Sequence, residues 1–228
     1  MLDIKLTSHE AKPRITLMTI ITICLIASLS LIAIKLARDV QEKETLGFDK
    51  NILLAIHSHA TPFLNSFVMH TTDIGSPLYS ALAAFVIGLV LAYRKQLYRF
   101  LVLGGSMVGA AGLAFIIKSV IERPRPDLWH HRLIHETGFS FISGHATMSM
   151  ALAAALVALL WRTKWRWWSI GLGIIYVVYV GFSRLYLGAH YPTDVLGGWI
   201  VAFAWVLIVV LTFHLLLTEK QRYPRKKS

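Results

Sequence analysis

The chain has 228 residues, of which 56% are hydrophobic and only 15% charged, and its mean hydropathy is positive at +0.59. That balance excludes an ordinary soluble domain and points to a single membrane domain with room for about six spans of roughly 20 residues each. The formal net charge of +11 does not indicate nucleic-acid binding, because the basic residues sit in short clusters between apolar runs, the pattern that orients membrane proteins.

Residues 1–14 are polar and basic, with Lys5, Lys12 and Arg14. The apolar run at 15–34 is long enough to span. It is too long for a signal-peptide core, and no small-x-small cleavage site follows, so a retained first span is expected. Cys24 lies inside it and, as the single cysteine, forms no intramolecular disulfide. Residues 35–50 are charged and of mixed sign, closing on Gly47-Phe48-Asp49. The stretch 51–70 is only moderately apolar, carries His57, His59 and His70 and is broken by Pro62. It predicts one or two short helices lying at the interface. Ser76 and Pro77 read as the N-cap and first residue of the next helix, whose span covers about 78–93.

Arg94, Lys95 and Arg99 form a short basic loop. The third span, about 100–118, is rich in small residues (Gly104, Gly105, Gly109, Ala110, Ala111 and Gly112) that allow close helix packing in lipid. A polar loop with the sequence Arg-Pro-Arg-Pro covers 119–142. The fourth span covers about 143–161. From Trp161 to Trp168 tryptophan alternates with Arg162, Lys164 and Arg166, an interfacial aromatic and basic belt. The fifth and sixth spans cover about 169–183 and 192–217, and the tail is basic. Alternate loops therefore carry most of the 23 basic residues: the N-terminus, Arg94 to Arg99, Arg162 to Arg166, and Lys220 to Lys227. The positive-inside rule then places both termini in the cytoplasm. The fold expected is an all-α, six-span transmembrane bundle with short interfacial helices.

With that topology three polar stretches fall together on the outer face. They are Lys118 to Pro126, Ser143-Gly144-His145, and Ser183 to Asp194. Ionisable residues at the edges of membrane segments are costly and are functional candidates. Lys118, Arg125 and Arg184 suit a phosphate group, since guanidinium forks hold two oxygens at once. Ser143 as N-cap would put Gly144 and His145 in a first helical turn, where free N–H groups attract anions and glycine admits close approach. Asp194 lies four residues after His190, with Tyr191-Pro192 as the entry to the last helix. It can hold one ring nitrogen and leave the other as nucleophile. His145 is then, by elimination, the acid for the leaving oxygen. No metal is required, because cationic side chains can stabilise the charge, and no cofactor or obligatory protein partner is expected.

These stretches match Lys-x6-Arg-Pro, Ser-Gly-His and Ser-Arg-x5-His-x3-Asp in order and spacing. In this the chain resembles the type 2 phosphatidic acid phosphatase superfamily. One residue departs from the family pattern: Ile142 stands where proline usually precedes Ser-Gly-His. The resemblance implies a phosphohistidine on His190, oriented by Asp194, with His145 as general acid. It implies that Lys118, Arg125, Ser143, Gly144 and Arg184 hold the phosphate. It also implies a lipid phosphate substrate, hydrolysed at the outer face of a bacterial cell membrane. Undecaprenyl diphosphate is the first expectation; phosphatidylglycerophosphate or phosphatidic acid is the alternative.

Competing readings exist for each feature. Lys118 and Arg184 could snorkel from helix ends. Ser143-Gly144 could be an ordinary helix start, and His190 with Asp194 a structural hydrogen bond. His130, His131 and His135 with Asp127 and Glu136 could form a metal site, although a solvated outer loop is the preferred reading. A transporter with an anion site would show paired halves or broken mid-membrane helices, and no repeat is seen. Six apolar runs argue against a soluble haloperoxidase with the same motifs.

Overall fold

The computed structural model describes residues 11–128 and 136–222, and the described residues are helical, with no strand among them. Eight α-helices follow in chain order: α1 (Ala11–Gln41), α2 (Leu46–His57), α3 (Pro62–Thr71), α4 (Pro77–Tyr93), α5 (Leu97–Ile121), α6 (Gly144–Leu160), α7 (Arg166–Tyr186) and α8 (Pro192–Arg222). A short 3-10 turn, Thr72–Gly75, joins α3 to α4.

The helix starts follow the sequence. Ser76 caps α4, accepting a hydrogen bond from the Tyr79 amide at 3.2 Å, with Pro77 at the first position. Thr61 caps α3 in the same way, ahead of Pro62. Four helices run beyond the apolar stretches, among them α8, which continues to Arg222. Helix α1 continues through the charged residues to Gln41, where Lys35 and Asp39 pair at 2.9 Å one turn apart. Helix α5 continues to Ile121 and stops at Glu122, which is left-handed. Helix α7 starts inside the tryptophan belt and extends to Tyr186. Apolarity marks the part of a helix that suits lipid, whereas the backbone bonds continue until a capping or breaking residue intervenes.

Among the described residues, four helices (α1, α5, α7 and α8) are long and apolar enough to cross a membrane. Helices α4 and α6 are apolar but have 17 residues each, about 26 Å at 1.5 Å per residue against a hydrocarbon core of about 30 Å. Helices α2 and the stretch from α3 to Gly75 form a pair bent by 114°.

Helix α6 lies in the middle, packed against α5, α7 and α8 and more lightly against α4. Its buried face is made of Ala151, Ala155 and Met148, which meet Leu103, Met107 and Ala110 of α5 and Ala202 and Val206 of α8. Small side chains here let the helix backbones approach closely. Gly198 of α8 shows how close. A Cβ there would stand 2.8 Å from the Thr147 hydroxyl and 3.0 Å from the Ser143 carbonyl. Any larger residue would separate the N-terminal ends of α6 and α8. A second cluster lies at that end: Val40 from α1, Ala114 from α5, and Phe141 and Ile142. Ile142, standing where proline was expected, is fully buried and so anchors the segment leading into Ser143.

Candidate active site

The ends of α5, α6, α7 and α8 that meet here carry the three polar stretches, and the structure brings them together. Helix α7 ends at a left-handed Gly188, whose amide bonds back to Leu185 while the Ala189 amide bonds to Arg184. Glycine at this position is the usual way to stop a helix and turn the chain. The turn delivers His190 between α7 and α8, where its side chain is buried.

The two ring nitrogens of His190 face different partners. Nδ1 lies 3.5 Å from Asp194 Oδ2. That is longer than a good hydrogen bond, and Nδ1 has no other partner among the described residues. Nε2 lies 3.3 Å from Arg125 Nη1 and 3.8 Å from Glu136 Oε2. Burial pushes the His190 pKa below the ordinary imidazole value; Asp194 works against the shift, while Arg125 and Arg184 add to it. The ring is therefore held neutral.

On the Nε2 side two arginines converge. Arg184 is buried; its Nη1 donates to the Thr72 hydroxyl at 2.9 Å and its Nη2 pairs with Glu136 Oε1. Thr72 is itself 3.0 Å from the Ser183 hydroxyl, so the serine preceding Arg184 fixes the partner that aims it. Arg125 Nη1 donates to Glu136 Oε2 at 2.7 Å and to the Ala189 carbonyl at 2.9 Å, and its other nitrogens bond the Gly138 and Thr137 carbonyls. Burial opposes ionisation of Glu136, but the guanidiniums of Arg184 and Arg125 outweigh it and hold its carboxyl below the usual carboxylate range.

Ser143 is buried and caps α6, accepting from the Ala146 amide at 3.4 Å, while its own amide donates to the Asp194 carbonyl at 3.0 Å. Gly144 opens the helix. His145, half-buried, lies within electrostatic range of Arg184, Glu136, His190 and Lys118. Lys118 donates to the Phe139 carbonyl at 2.9 Å and interacts electrostatically with Arg125, Glu136 and Asp194. All eight residues expected from the sequence thus gather at one end of the bundle. His130, His131 and His135 lie outside the described residues.

The structure adds residues that sequence reasoning missed. Asp194 Oδ1 accepts from Arg123 Nη1 at 2.6 Å, and Arg123 Nη2 donates to Asp49 Oδ2 at 2.7 Å. Asp49 reaches from α2 to accept from the Thr193 amide at 3.0 Å and the Thr193 hydroxyl at 2.7 Å. A signal for Asp49 was present: it shares a helix face with the buried Leu53 one turn on, and an acid on an apolar face is either paired or costly. Glu136, expected in a solvated outer loop or as a metal ligand, instead bridges both arginines through its carboxylate.

The chain is similar to known membrane phosphatases in sequence and in fold. The PAP2 superfamily model matches residues 99–217. The undecaprenyl-diphosphatase BcrC of Bacillus subtilis is 34% identical over 160 residues, 66% of this chain and 77% of the relative. Phosphatidylglycerophosphatase B of the same organism is 33% identical over 181 residues, 75% of this chain and 86% of the relative. Among solved structures, a transmembrane PAP2-type phosphatidylglycerolphosphate phosphatase from B. subtilis superposes with a TM-score of 0.68 at 28% identity, covering 89% of this chain and 98% of that one. With its three motifs folded into one charged site, the chain belongs to the PAP2 superfamily of membrane lipid phosphatases.

Proposed function

We propose that this PAP2 protein hydrolyses the phosphate of a lipid (di)phosphate through a phosphohistidine on His190. The observation that carries the reading is the pair of arginines beside His190 Nε2. Arg184 and Arg125 each hold one oxygen of the Glu136 carboxylate, so the site already accommodates an anion with two adjacent oxygens. A substrate phosphate taking the same guanidinium nitrogens displaces Glu136 and comes to lie against Nε2.

In the first step the Nε2 lone pair forms a bond to phosphorus as the bond from phosphorus to the leaving oxygen breaks. His145 gives that oxygen its proton. Nδ1 keeps its hydrogen toward Asp194, which stabilises the positive charge forming on the ring. In the second step water attacks phosphorus, the P–N bond breaks, and the water proton passes to His145. Inorganic phosphate leaves and the enzyme is restored. Arg184, Arg125, Lys118 and the first-turn amides of α6 around Gly144, capped by Ser143, stabilise the charge on the transferring group. In this reading the cationic side chains do the work for which other phosphatases use a metal.

The substrate ranked first is undecaprenyl diphosphate, which leaves as the monophosphate. It is supported by the similarity to BcrC and to an undecaprenyl-diphosphatase of Sulfolobus acidocaldarius, 30% identical over 168 residues. The broader coverage of phosphatidylglycerophosphatase B favours phosphatidylglycerophosphate as the second. The topology that fits is a single domain in a bacterial cell membrane, crossing six times by counting the two 17-residue helices α4 and α6. Both termini are then cytoplasmic and the site lies at the outer interface.

Phosphate release by purified protein in detergent with a chelator present tests the reading. Wild type is expected to turn over at least one of the two lipids, with kcat/KM ranking them. His190→Ala is expected to lose on the order of 10³-fold or more in kcat while remaining folded. Near-full activity in that variant would remove the nucleophile assignment. Folded wild type that turned over neither lipid would favour an anion-binding role without hydrolysis.

A further inference from the structure

We propose that Arg123 and Asp49 form a positioning unit that sets Asp194 behind His190, on the opposite side of the ring from the anion site. The inference rests on the reading of His190 as nucleophile. Proline holds its own φ near that of an extended chain and disfavours the helical conformation in the residue before it. In Arg123-Pro124-Arg125-Pro126 both arginines precede proline. Residues two apart in an extended chain point to the same side, about 6–7 Å apart. That spacing is wide enough to flank an imidazole. The contacts follow this arrangement: Arg125 meets Nε2 of His190, and Arg123 meets the carboxylate that faces Nδ1.

Each oxygen of Asp194 is committed. Oδ1 accepts from Arg123, and Oδ2 accepts from the Tyr191 amide at 2.8 Å while facing the ring. Asp49 keeps Arg123 in place from its far side. It takes Nη2 of the guanidinium and ties the Thr193 amide and hydroxyl, at the first turn of α8, to the same point. The Thr193 hydroxyl also accepts from Arg123 Nη1 at 2.8 Å, and the guanidinium stacks on the Tyr191 ring at 4.1 Å. A guanidinium two residues from Arg125 would otherwise be free to reach the anion. The two carboxylates hold it back and leave the anion site to Arg125 and Arg184. Asp49, Arg123 and Thr193 touch no substrate in this arrangement. They act through the angle and charge of Asp194.

The test is a double-mutant cycle on the full-length protein in detergent. Asp49→Asn is expected to lower kcat on the order of 10- to 100-fold, as loss of a supporting partner typically does, with KM changed by less than about twofold. Arg123→Lys keeps a positive charge but cannot bridge two carboxylates, and is expected to fall in the same range. In an Asp194→Asn background, Asp49→Asn is expected to lower kcat no further. Its effect on Tm should persist in both backgrounds, which separates positioning from folding. Should Asp49→Asn not fold, the isosteric Thr193→Val reads the same coupling. Unchanged kcat in a folded variant, or losses that multiply in the double variant, would overturn the unit. An inactive His190→Ala beside an unaffected Asp49→Asn would sink the unit alone. An active His190→Ala would sink the functional reading beneath it.

Discussion

Two charged clusters flank His190, and they are built on opposite terms. On the Nδ1 side one guanidinium lies between two carboxylates, with Asp49 and Asp194 at 0% exposure and Arg123 at 7%. The one guanidinium is shared by both carboxylates, leaving a net negative charge beside Nδ1, and the named donors and acceptors are paired with one another. On the Nε2 side two guanidiniums and Lys118 face a single carboxylate, Glu136, which is 27% exposed. That side keeps an excess of positive charge and a partner that is accessible to solvent. A sealed and internally paired cluster does the work of a scaffold, since breaking it leaves a buried charge without its partner and with no access to water. An accessible cluster with excess positive charge is prepared for an incoming anion. The same ring therefore has a fixed side and an exchangeable side.

The largest separation between the two sides is expected from Arg184. Removing one member of a buried charge pair costs about 2–5 kcal/mol. Arg184→Ala should therefore lower kcat/KM on the order of 10²–10³-fold and weaken competitive inhibition by inorganic phosphate in parallel. Arg184→Lys should recover only part of the loss, because an ammonium cannot replace the fork that meets Thr72 and the anion together. Asp49→Asn should leave phosphate inhibition unchanged. Measured inhibition constants that moved equally in Arg184→Ala and Asp49→Asn would abolish the distinction between a binding side and a scaffold side.

Most of the exchangeable side was legible in the sequence, whereas of the fixed side only Asp194 was. Arg125, Arg184, His145 and His190 stand in motifs whose spacing brings them to one end of the bundle. Their chemistry is local: an arginine before proline, a glycine after a serine cap, an acid one turn after a histidine. The fixed side depends on Asp49, 145 positions before Asp194 in the chain. No local pattern links an acid on the short helix α2 to a threonine at the head of α8. That pairing appears only once α2 packs against α8. The helix bounds were similarly divided. Caps at Ser76 and Ser143 were readable, because an N-cap is a short-range hydrogen bond. The ends of α1 and α7 were not, because polar residues such as Lys35 and Asp39 continue a helix as readily as apolar ones when they pair one turn apart.

A smaller effect tests whether the Glu136 carboxylate competes with substrate. Glu136→Gln removes its charge and keeps its shape. KM and the inhibition constant for phosphate are expected to fall by roughly threefold to tenfold, equivalent to about 0.6–1.4 kcal/mol, with kcat changed by less than about twofold. If both constants rose instead, Glu136 would be holding Arg125 and Arg184 in position for substrate, and the Nε2 side would be a second scaffold.

The smallest expected effect is a displacement along the pH axis. Burial of His190, with Arg125 and Arg184 nearby, holds its pKa below the ordinary imidazole value of 6.5, and Asp194 limits the shift. Nucleophilic attack needs the neutral ring, so activity is present above that pKa and is lost as pH falls through it. The acid limb of kcat/KM should therefore lie below pH 6.5. Asp194→Asn removes the group that favours the charged ring. Its residual activity should show an acid limb moved to still lower pH, even though kcat itself falls. Arg125→Gln removes a charge that disfavours the charged ring, so its limb should move up. Opposite displacements from residues facing opposite nitrogens are what the two-sided arrangement requires. A limb that moved the same way in both variants would mean that it reports some other group, and His190 would lose its place between the two clusters.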